Sequence, residues 1–225
     1  MKRYFLYIFL FFLSINTFSQ TKDLGKPFLL SNKVEVTNQF YLTPKVDNQK
    51  EVEKTKIRTG NAWEKEFRFG KEHIVSIAIF SEAQKTVLPS GDFIYQFGIN
   101  AKNAVSINVI FDQFELAKGV NLYLVDPINK KFIGAYTSLN NNPSKMLGTE
   151  LLKSDKIVIE VFVPKSQDGK SLLNLNTIVH GFQDIDTLAK GLNNSGSCQI
   201  DVNCPLGDEW KDQRNSVAMM MNGGG

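Results

Sequence analysis

The stretch Val105-Ser106-Ile107-Asn108-Val109-Ile110-Phe111 decides the fold class, because apolar and polar residues alternate along it before it ends on three apolar side chains. A period of two places alternate side chains on opposite faces of a β-strand. Val120–Val125 alternates in the same way, and Asp126-Pro127, a dipeptide typical of turns, follows it. We therefore predict strands with one face in a core and the other face in solvent.

Outward from these two strands, further β-rich runs recur at fairly even spacing, and turn signals such as Leu88–Gly91 separate them. No helical periodicity interrupts the series, so the pattern predicts an all-β domain, an antiparallel β-sandwich over residues 63–183. The further runs are Ile74–Phe80, Phe93–Ile99, Phe132–Tyr136, Ile157–Val163 and Leu173–Val179.

The N-terminus has the pattern of a secretory signal peptide. Lys2 and Arg3 precede the apolar run Tyr4–Leu13, whose roughly ten residues are too few to span a bilayer as a helix. Small residues before Gln20 predict cleavage between Ser19 and Gln20, and the alternative is an uncleaved membrane anchor. We expect a signal peptide over residues 1–19 and a secreted or periplasmic product without a membrane segment after cleavage.

Residues 20–62 lack an apolar face at either helical or strand spacing and contain the charged run Asp47–Lys56. This pattern predicts an extended leader with at most one short strand or helical turn, and the run itself is typical of a solvated segment. The chain is 42% apolar, which indicates a globular protein. Its net charge is +3, of which Lys2 and Arg3 supply two charges, so no nucleic-acid partner is expected.

The two histidines, His73 and His180, each lie at the border of an apolar strand. Either could act as a general base, but a structural hydrogen bond is the favoured interpretation, because no Gly-x-Ser-x-Gly or HExxH motif accompanies them. No phosphate-binding or other cofactor motif occurs, and we expect no cofactor and no metal. Four aromatic residues could form a sugar-binding platform, although core positions are favoured: Trp63, Tyr95, Tyr123 and Tyr136.

The two cysteines, Cys198 and Cys204, leave two interpretations open. They could bond to each other across a small loop, or pair with cysteines beyond residue 225, since an exported chain meets oxidising conditions. A zinc site is excluded, because two cysteines without nearby histidines cannot complete one. Residues 184–194 form a polar linker before them, and Ser216–Met221 has the composition of a strand buried on both faces.

The segment that contains these cysteines, Ser195–Asp208, reads SGSCQIDVNCPLGD and is followed by Trp210–Ala218. Over these residues the chain closely resembles the start of the mature domain in the lysyl endopeptidase family, secreted bacterial serine proteases of the chymotrypsin clan. Three earlier segments resemble that family's propeptide, although they are more diverged: Gly119–Pro127, Ile157–Glu160 and Val179–Phe182.

The resemblance implies that residues 195–225 begin a trypsin-like double β-barrel that is incomplete at Gly225. It implies that Cys198 and Cys204 form disulfides with later cysteines, and that the catalytic His, Asp and Ser also come later. The chain itself is then expected to be inactive. Its expected partners are its own protease domain and, for the complete enzyme, protein substrates.

The resemblance also predicts a processing site. A lysine-specific protease that matures itself needs a lysine before its first mature residue, and Lys190-Gly191 lies in the polar linker. The alternative is that Lys190 is one surface lysine among many. A different class of function also remains open: a secreted, non-enzymatic β-sandwich, either an adhesin or a carbohydrate-binding module.

Overall fold

The computed structural model describes residues 25–31, 33–57 and 68–185, and within them most of the regular structure is β-strand. Two short helices accompany the strands, α1 (Asn48–Ile57) and α2 (Ile79–Glu82), together with three single 3-10 turns. The prediction of an all-β fold is confirmed at this level. No helix in the described ranges has the length and apolarity needed to cross a bilayer.

Six strands form a mixed sheet, in which β1 and β3 share one edge of β4 and the order continues through β9 and β6 to β7. β1 runs parallel to β4, and the other pairs are antiparallel. The strands are β1 (Phe40–Leu42), β3 (Gln84–Val87), β4 (Phe93–Asn100), β6 (Asn121–Asp126), β7 (Lys131–Tyr136) and β9 (Lys156–Val163).

Four strands form a second, antiparallel sheet in the order β2-β10-β5-β8. They are β2 (Gly70–Ala78), β5 (Ser106–Glu115), β8 (Leu147–Gly148) and β10 (Leu172–Gly181). The central pair, β5 and β10, stays in register from Ser106 opposite Gly181 to Glu115 opposite Leu172, with two irregularities between. Long central strands of this kind provide the continuous apolar rows that a core requires.

One hydrophobic cluster takes side chains from both sheets. Leu124 and Ile159 enter it from the six-stranded sheet, and Phe111 and Ile178 enter it from the four-stranded sheet; all four are completely buried. Burial of a large apolar side chain stabilises a fold by about 1.5–3 kcal/mol, so this shared cluster is the main source of stability.

Each of the seven predicted strands is present, but Ile79 and Phe80 begin α2 instead of continuing β2. β1, β3 and β8 were not predicted, because each has four residues or fewer and too little sequence to show alternation. The prediction of one solvent face is wrong for β6 and β9. Tyr123, Val125 and Val158 point away from the shared cluster and are nevertheless buried, in a second cluster with Leu29.

The second cluster exists because the predicted extended leader is part of the fold. Residues 25–31 and 33–39 lie over the outer face of the six-stranded sheet, where Leu29 is buried in the second cluster, and Phe40 of β1 packs against the same cluster. The charged run, where one short strand or helical turn was expected, forms the ten-residue helix α1, and most of its described side chains are exposed or partly exposed. Sequence analysis did not detect helix α1, because the helix has almost no apolar periodicity and its described contacts are made by polar side chains.

Candidate functional site

The six residues that the sequence singled out for processing and disulfide formation lie outside the described residues: Ser19, Gln20, Lys190, Gly191, Cys198 and Cys204. The segment 195–225, predicted to begin an incomplete protease domain, lies outside them as well, and so does Trp63. The two candidate histidines and the three candidate tyrosines are described, and the structure shows how each is held.

The two histidines come together because β2 and β10 are paired neighbours. Ile178 lies opposite His73 in this pairing, so His180 is two residues further along β10 and on the same face. The ring centroids are 6.3 Å apart, in an edge-on arrangement. His180 is completely buried, whereas His73 is partly exposed. We call these two residues the histidine pair.

Helix α1 attaches to the histidine pair through Asn48. The Asn48 amide oxygen lies 3.0 Å from Nε2 of His180, and the Asn48 amide nitrogen donates to the backbone oxygen of Asn103 at 2.7 Å. Because an amide oxygen only accepts, Nε2 of His180 carries the hydrogen and Nδ1 has none in the neutral ring. No acceptor or donor among the described residues reaches Nδ1 of His180 or Nε2 of His73.

A second contact holds α1 one turn further along. Glu51 is buried, and its Oε1 lies 2.8 Å from Nζ of Lys54 and 3.4 Å from Nζ of Lys71 on β2. The hydrogen bond from Lys54, with the charge of Lys71, holds the pKa of the Glu51 carboxyl below its usual value, although burial opposes this shift. Glu51 therefore remains ionised in mildly acidic solution.

Burial and positive neighbours lower the pKa of both imidazoles. For His180, burial is the largest cause, His73 and Lys71 add to it, and Asp155 opposes it, which leaves a pKa of about 4. For His73, burial and then Lys71 lower the pKa. Both rings are neutral near pH 7. A completely buried imidazole bonded to an amide cannot reach a substrate, so a structural role for His180 fits the geometry and a general-base role does not.

The leader crosses the six-stranded sheet over a buried carboxylate. Glu160, in the middle of β9, is completely buried and accepts the backbone N–H groups of Phe28 at 2.6 Å and Leu29 at 2.9 Å. Beside it on β4, the side-chain oxygen of Gln96 accepts the backbone N–H of Thr37 at 2.9 Å. These two side chains act as anchors for a segment that has little secondary structure of its own.

Burial raises the pKa of Glu160 above its usual value, and the N–H donors of Leu29 and Phe28 only partly offset this. A carboxylate in such a position is costly unless its hydrogen bonds are made. The leader and the sheet therefore depend on each other at this contact, because removing either partner leaves buried polar groups without hydrogen bonds.

The three described tyrosines do not form a sugar-binding platform. Tyr95 belongs to the shared cluster and Tyr123 to the second cluster, and both are buried, as the core interpretation predicts. Tyr136 is partly buried against the shared cluster. The hydroxyl of Tyr95 donates to Asp168 at 3.1 Å, and the Lys85 ammonium lies 3.1 Å from the same carboxylate. These contacts are structural in character.

The end of the described chain is fixed to the body of the fold. β10 ends at Gly181, whose carbonyl accepts the N–H of Val105, and Phe182 donates to the carbonyl of Phe69. Two residues later, Asp184 forms an ion pair with Lys153 at 3.1 Å. The path of the chain is thus defined as far as Ile185, where the description ends.

Among residues 25–31, 33–57 and 68–185, no group of three or more His, Cys, Asp or Glu side chains could hold a metal ion. No protein-family model matches the chain. Sequence reasoning missed Asn48, Glu51 and Glu160. The partners of Asn48 and Glu160 lie far away along the chain, and Glu51 joins the nearby Lys54 to Lys71 on β2. The one available signal was Glu160 itself, a charged residue in the apolar run Ile157–Val163.

Proposed function

We propose that this chain is the N-terminal part of the precursor of a secreted lysine-specific serine endopeptidase, and that residues 25–185 are its propeptide, built as a β-sandwich. The observation that carries the proposal is the sequence of Ser195–Ala218. Within it, Cys198–Pro205 resembles the opening of the mature lysyl endopeptidase domain. In this function the chain supplies export and propeptide roles, and it contains none of the catalytic triad.

The position of Lys190 supports a processing role. It is the first lysine after Lys170, and it comes five residues after Ile185, the last residue of the described fold. Its neighbourhood, residues 184–194, has the polar composition of a linker, and polar linkers between folded units are favoured sites of proteolytic nicking.

Lysines inside the body are held in backbone conformations that a protease would have to undo. Lys130 and Lys145 have φ angles of 56° and 55°, in the left-handed region that a non-glycine residue rarely adopts. Lys71, Lys131 and Lys156 lie within paired strands. Cleavage at these positions requires local unfolding, whose free energy rises toward that of global unfolding in core strands.

Digestion of the 225-residue chain with a lysine-specific endopeptidase tests the processing site. We expect an early product that ends at Lys190, with the body intact by mass spectrometry. Lys190→Gln should remove this product, whereas the control Lys170→Gln, at an exposed position of the body, should leave it unchanged. Early cutting at Lys130 or Lys145, or an unchanged pattern in Lys190→Gln, would contradict the assignment.

A second experiment tests the propeptide role. The complete precursor is expressed, its mature N-terminus is sequenced, and the 225-residue chain is added to the mature enzyme. We expect a mature chain that starts at Gly191, inhibition of peptide hydrolysis, and faster refolding of the denatured enzyme. A different N-terminus removes the processing claim, and failure both to inhibit and to assist refolding removes the propeptide claim.

A further inference from the structure

We propose that the histidine pair makes the attachment of helix α1 sensitive to acid, so that protonation detaches α1 while the two sheets stay folded. This inference concerns the described fold alone and does not depend on the function proposed above. It rests on the position of two imidazoles in a buried junction between the leader and the end of β10.

The neutral form of His180 fits its surroundings, whereas the charged form does not. In the neutral ring, Nε2–H donates to Asn48, and the unprotonated Nδ1 is buried. A second proton would sit on Nδ1, where no acceptor among the described residues receives it. A buried charge with an unsatisfied donor costs several kcal/mol, so the ring gains by reaching water before it accepts the proton.

The charged groups around His180 oppose protonation more than they favour it. β2 contributes Lys71, directly opposite His180 in the pairing, and also His73. On the other side of β10, β5 places the uncharged Ile107 opposite His180. Asp155, just before β9, is the acidic residue that favours the charged form.

The buried acidic residue of α1 cannot compensate for this. The carboxylate of Glu51 is already bonded to both Lys54 and Lys71. Its lowered pKa also means that Glu51 itself does not change charge over the range in which a free histidine titrates. Acid sensitivity at this junction is therefore assigned to the imidazoles.

Helix α1 is the element that yields, because the contacts described between it and the rest of the fold are few and polar. Among its residues with described side chains, Glu51 alone is buried, and the helix has almost no apolar face. The described contacts are the two hydrogen bonds of Asn48 and the ion pair between Glu51 and Lys71. Strands β5 and β10, in contrast, share the apolar cluster and separate only when the whole fold unfolds.

The size of the effect follows from linkage. The pKa of His180 is about 4 when α1 is attached and near 6.5 when the ring is exposed. A histidine whose pKa is depressed stabilises the attached state above pH 6.5, and this stabilisation is lost as the pH falls below that value. Between about pH 7.5 and pH 5, His180 alone should raise the detached fraction on the order of 30-fold.

Hydrogen exchange of the full chain tests the proposal. Protection factors of the α1 amides are measured near pH 7.5 and pH 5, each relative to the exchange rate of an unstructured peptide of the same sequence at that pH. We expect α1 to lose at least about tenfold in protection factor at the lower pH. Equal protection factors at the two pH values would overturn the proposal.

A variant without titrating rings is the matched control. In the double variant His73→Gln and His180→Gln, the glutamine amide at 180 can still donate to Asn48, but neither side chain takes up a proton. The acid-induced loss should disappear, and a loss that persists in the folded double variant contradicts the proposal.

Titration of the wild-type imidazoles by NMR gives a test that does not need the variant to fold. We expect both rings to resist protonation while α1 is protected, and His180 to take up its proton together with the loss of α1 protection. If the imidazoles titrate near pH 6.5 while the α1 amides keep their full exchange protection at every pH, the proposal is overturned.

Discussion

Glu160 accepts the backbone N–H of Leu29 at 2.9 Å, although 131 residues separate the two in the sequence. The N–H of Phe28 is bonded to the other carboxylate oxygen. One buried side chain in the centre of β9 thus determines where the leader crosses the six-stranded sheet. The first prediction concerns a variant that lacks the Glu160 carboxylate.

Glu160→Ala should lower the free energy of unfolding by about 2–4 kcal/mol, because two buried N–H groups lose their acceptor. Urea unfolding monitored by circular dichroism measures the change. Glu115→Ala is the matched control, since the Glu115 side chain is half exposed and its ion pair with Lys145 is worth at most about 1 kcal/mol. Equal losses in the two variants would mean that Glu160 does not anchor the leader.

Gly98 permits the close approach of β1 to β4. A Cβ atom added there would lie 2.6 Å from Cδ1 of Phe40 and 2.7 Å from the backbone oxygen of Gln39. Gly98→Ala should therefore displace β1 and cost about 1–3 kcal/mol, with loss of amide protection in residues 40–42.

The control for this substitution is Gly148→Ala in β8, where an added Cβ meets no atom within 4 Å. It should change stability by no more than about 0.5 kcal/mol. If Gly98→Ala is equally harmless and residues 40–42 keep their protection, the pairing of β1 with β4 is wrong.

Phe111 lies on β5 in the shared cluster and is completely buried. Phe111→Ala should cost about 3–5 kcal/mol, because it removes apolar contacts and leaves a cavity. Ile128, which is 66% exposed, provides the comparison, and Ile128→Ala should stay within about 0.5 kcal/mol of the wild type. Thermal unfolding of the two variants distinguishes a core residue from a surface residue of similar hydrophobicity.

Asp126 closes the turn between β6 and β7. It is completely buried, and its carboxylate accepts the backbone N–H groups of Ile128 and Asn129 at 2.8 and 2.9 Å. Burial alone would raise the pKa of Asp126, but the hydrogen bonds from Asn129 and Ile128 outweigh it and hold the pKa below its usual value.

The lowered pKa gives Asp126→Asn a defined pH dependence. A depressed carboxyl pKa stabilises the fold above the ordinary value near pH 4, and this contribution is lost as the pH falls through the folded-state pKa. The variant should be about 1–3 kcal/mol less stable than the wild type near pH 7, and the difference should shrink near pH 3. If the difference in unfolding free energy between variant and wild type is the same at pH 3 and at pH 7, the ionised form of Asp126 has no stabilising role.

The strands that sequence analysis predicted are those in which local pattern and burial agree. Leu122 and Leu124 alternate with polar or aromatic neighbours, and they enter the core as the period of two requires. Tyr123, between them, is buried in the second cluster, which agrees with the core position favoured for the aromatic residues but not with the solvent face that the alternation predicts. Alternation assigns side chains to faces, but it cannot show whether a distant segment covers the second face.

The candidate site could be predicted only in part, for the same reason. His73 and His180 were chosen singly, and their proximity depends on the pairing of β2 with β10, which no local pattern contains. Helix α1 was missed because it docks through Asn48 and Glu51, and polar contacts leave no periodic signal. A buried charge such as Glu160 is visible as an irregularity in its strand, but its partners are not.

The leader is the earliest part of the described fold to be synthesised, yet its partners come late in the chain. Thr37 must wait for Gln96, Leu29 for Glu160, and Asn48 for His180. A chain that emerges N-terminus first thus keeps Thr37 without its native contact until β4 is made, Leu29 until β9 is made, and Asn48 until the end of β10 is made. The N-terminal segment, tied into the fold at both sheets, therefore completes its native contacts only after the last described strand has been synthesised.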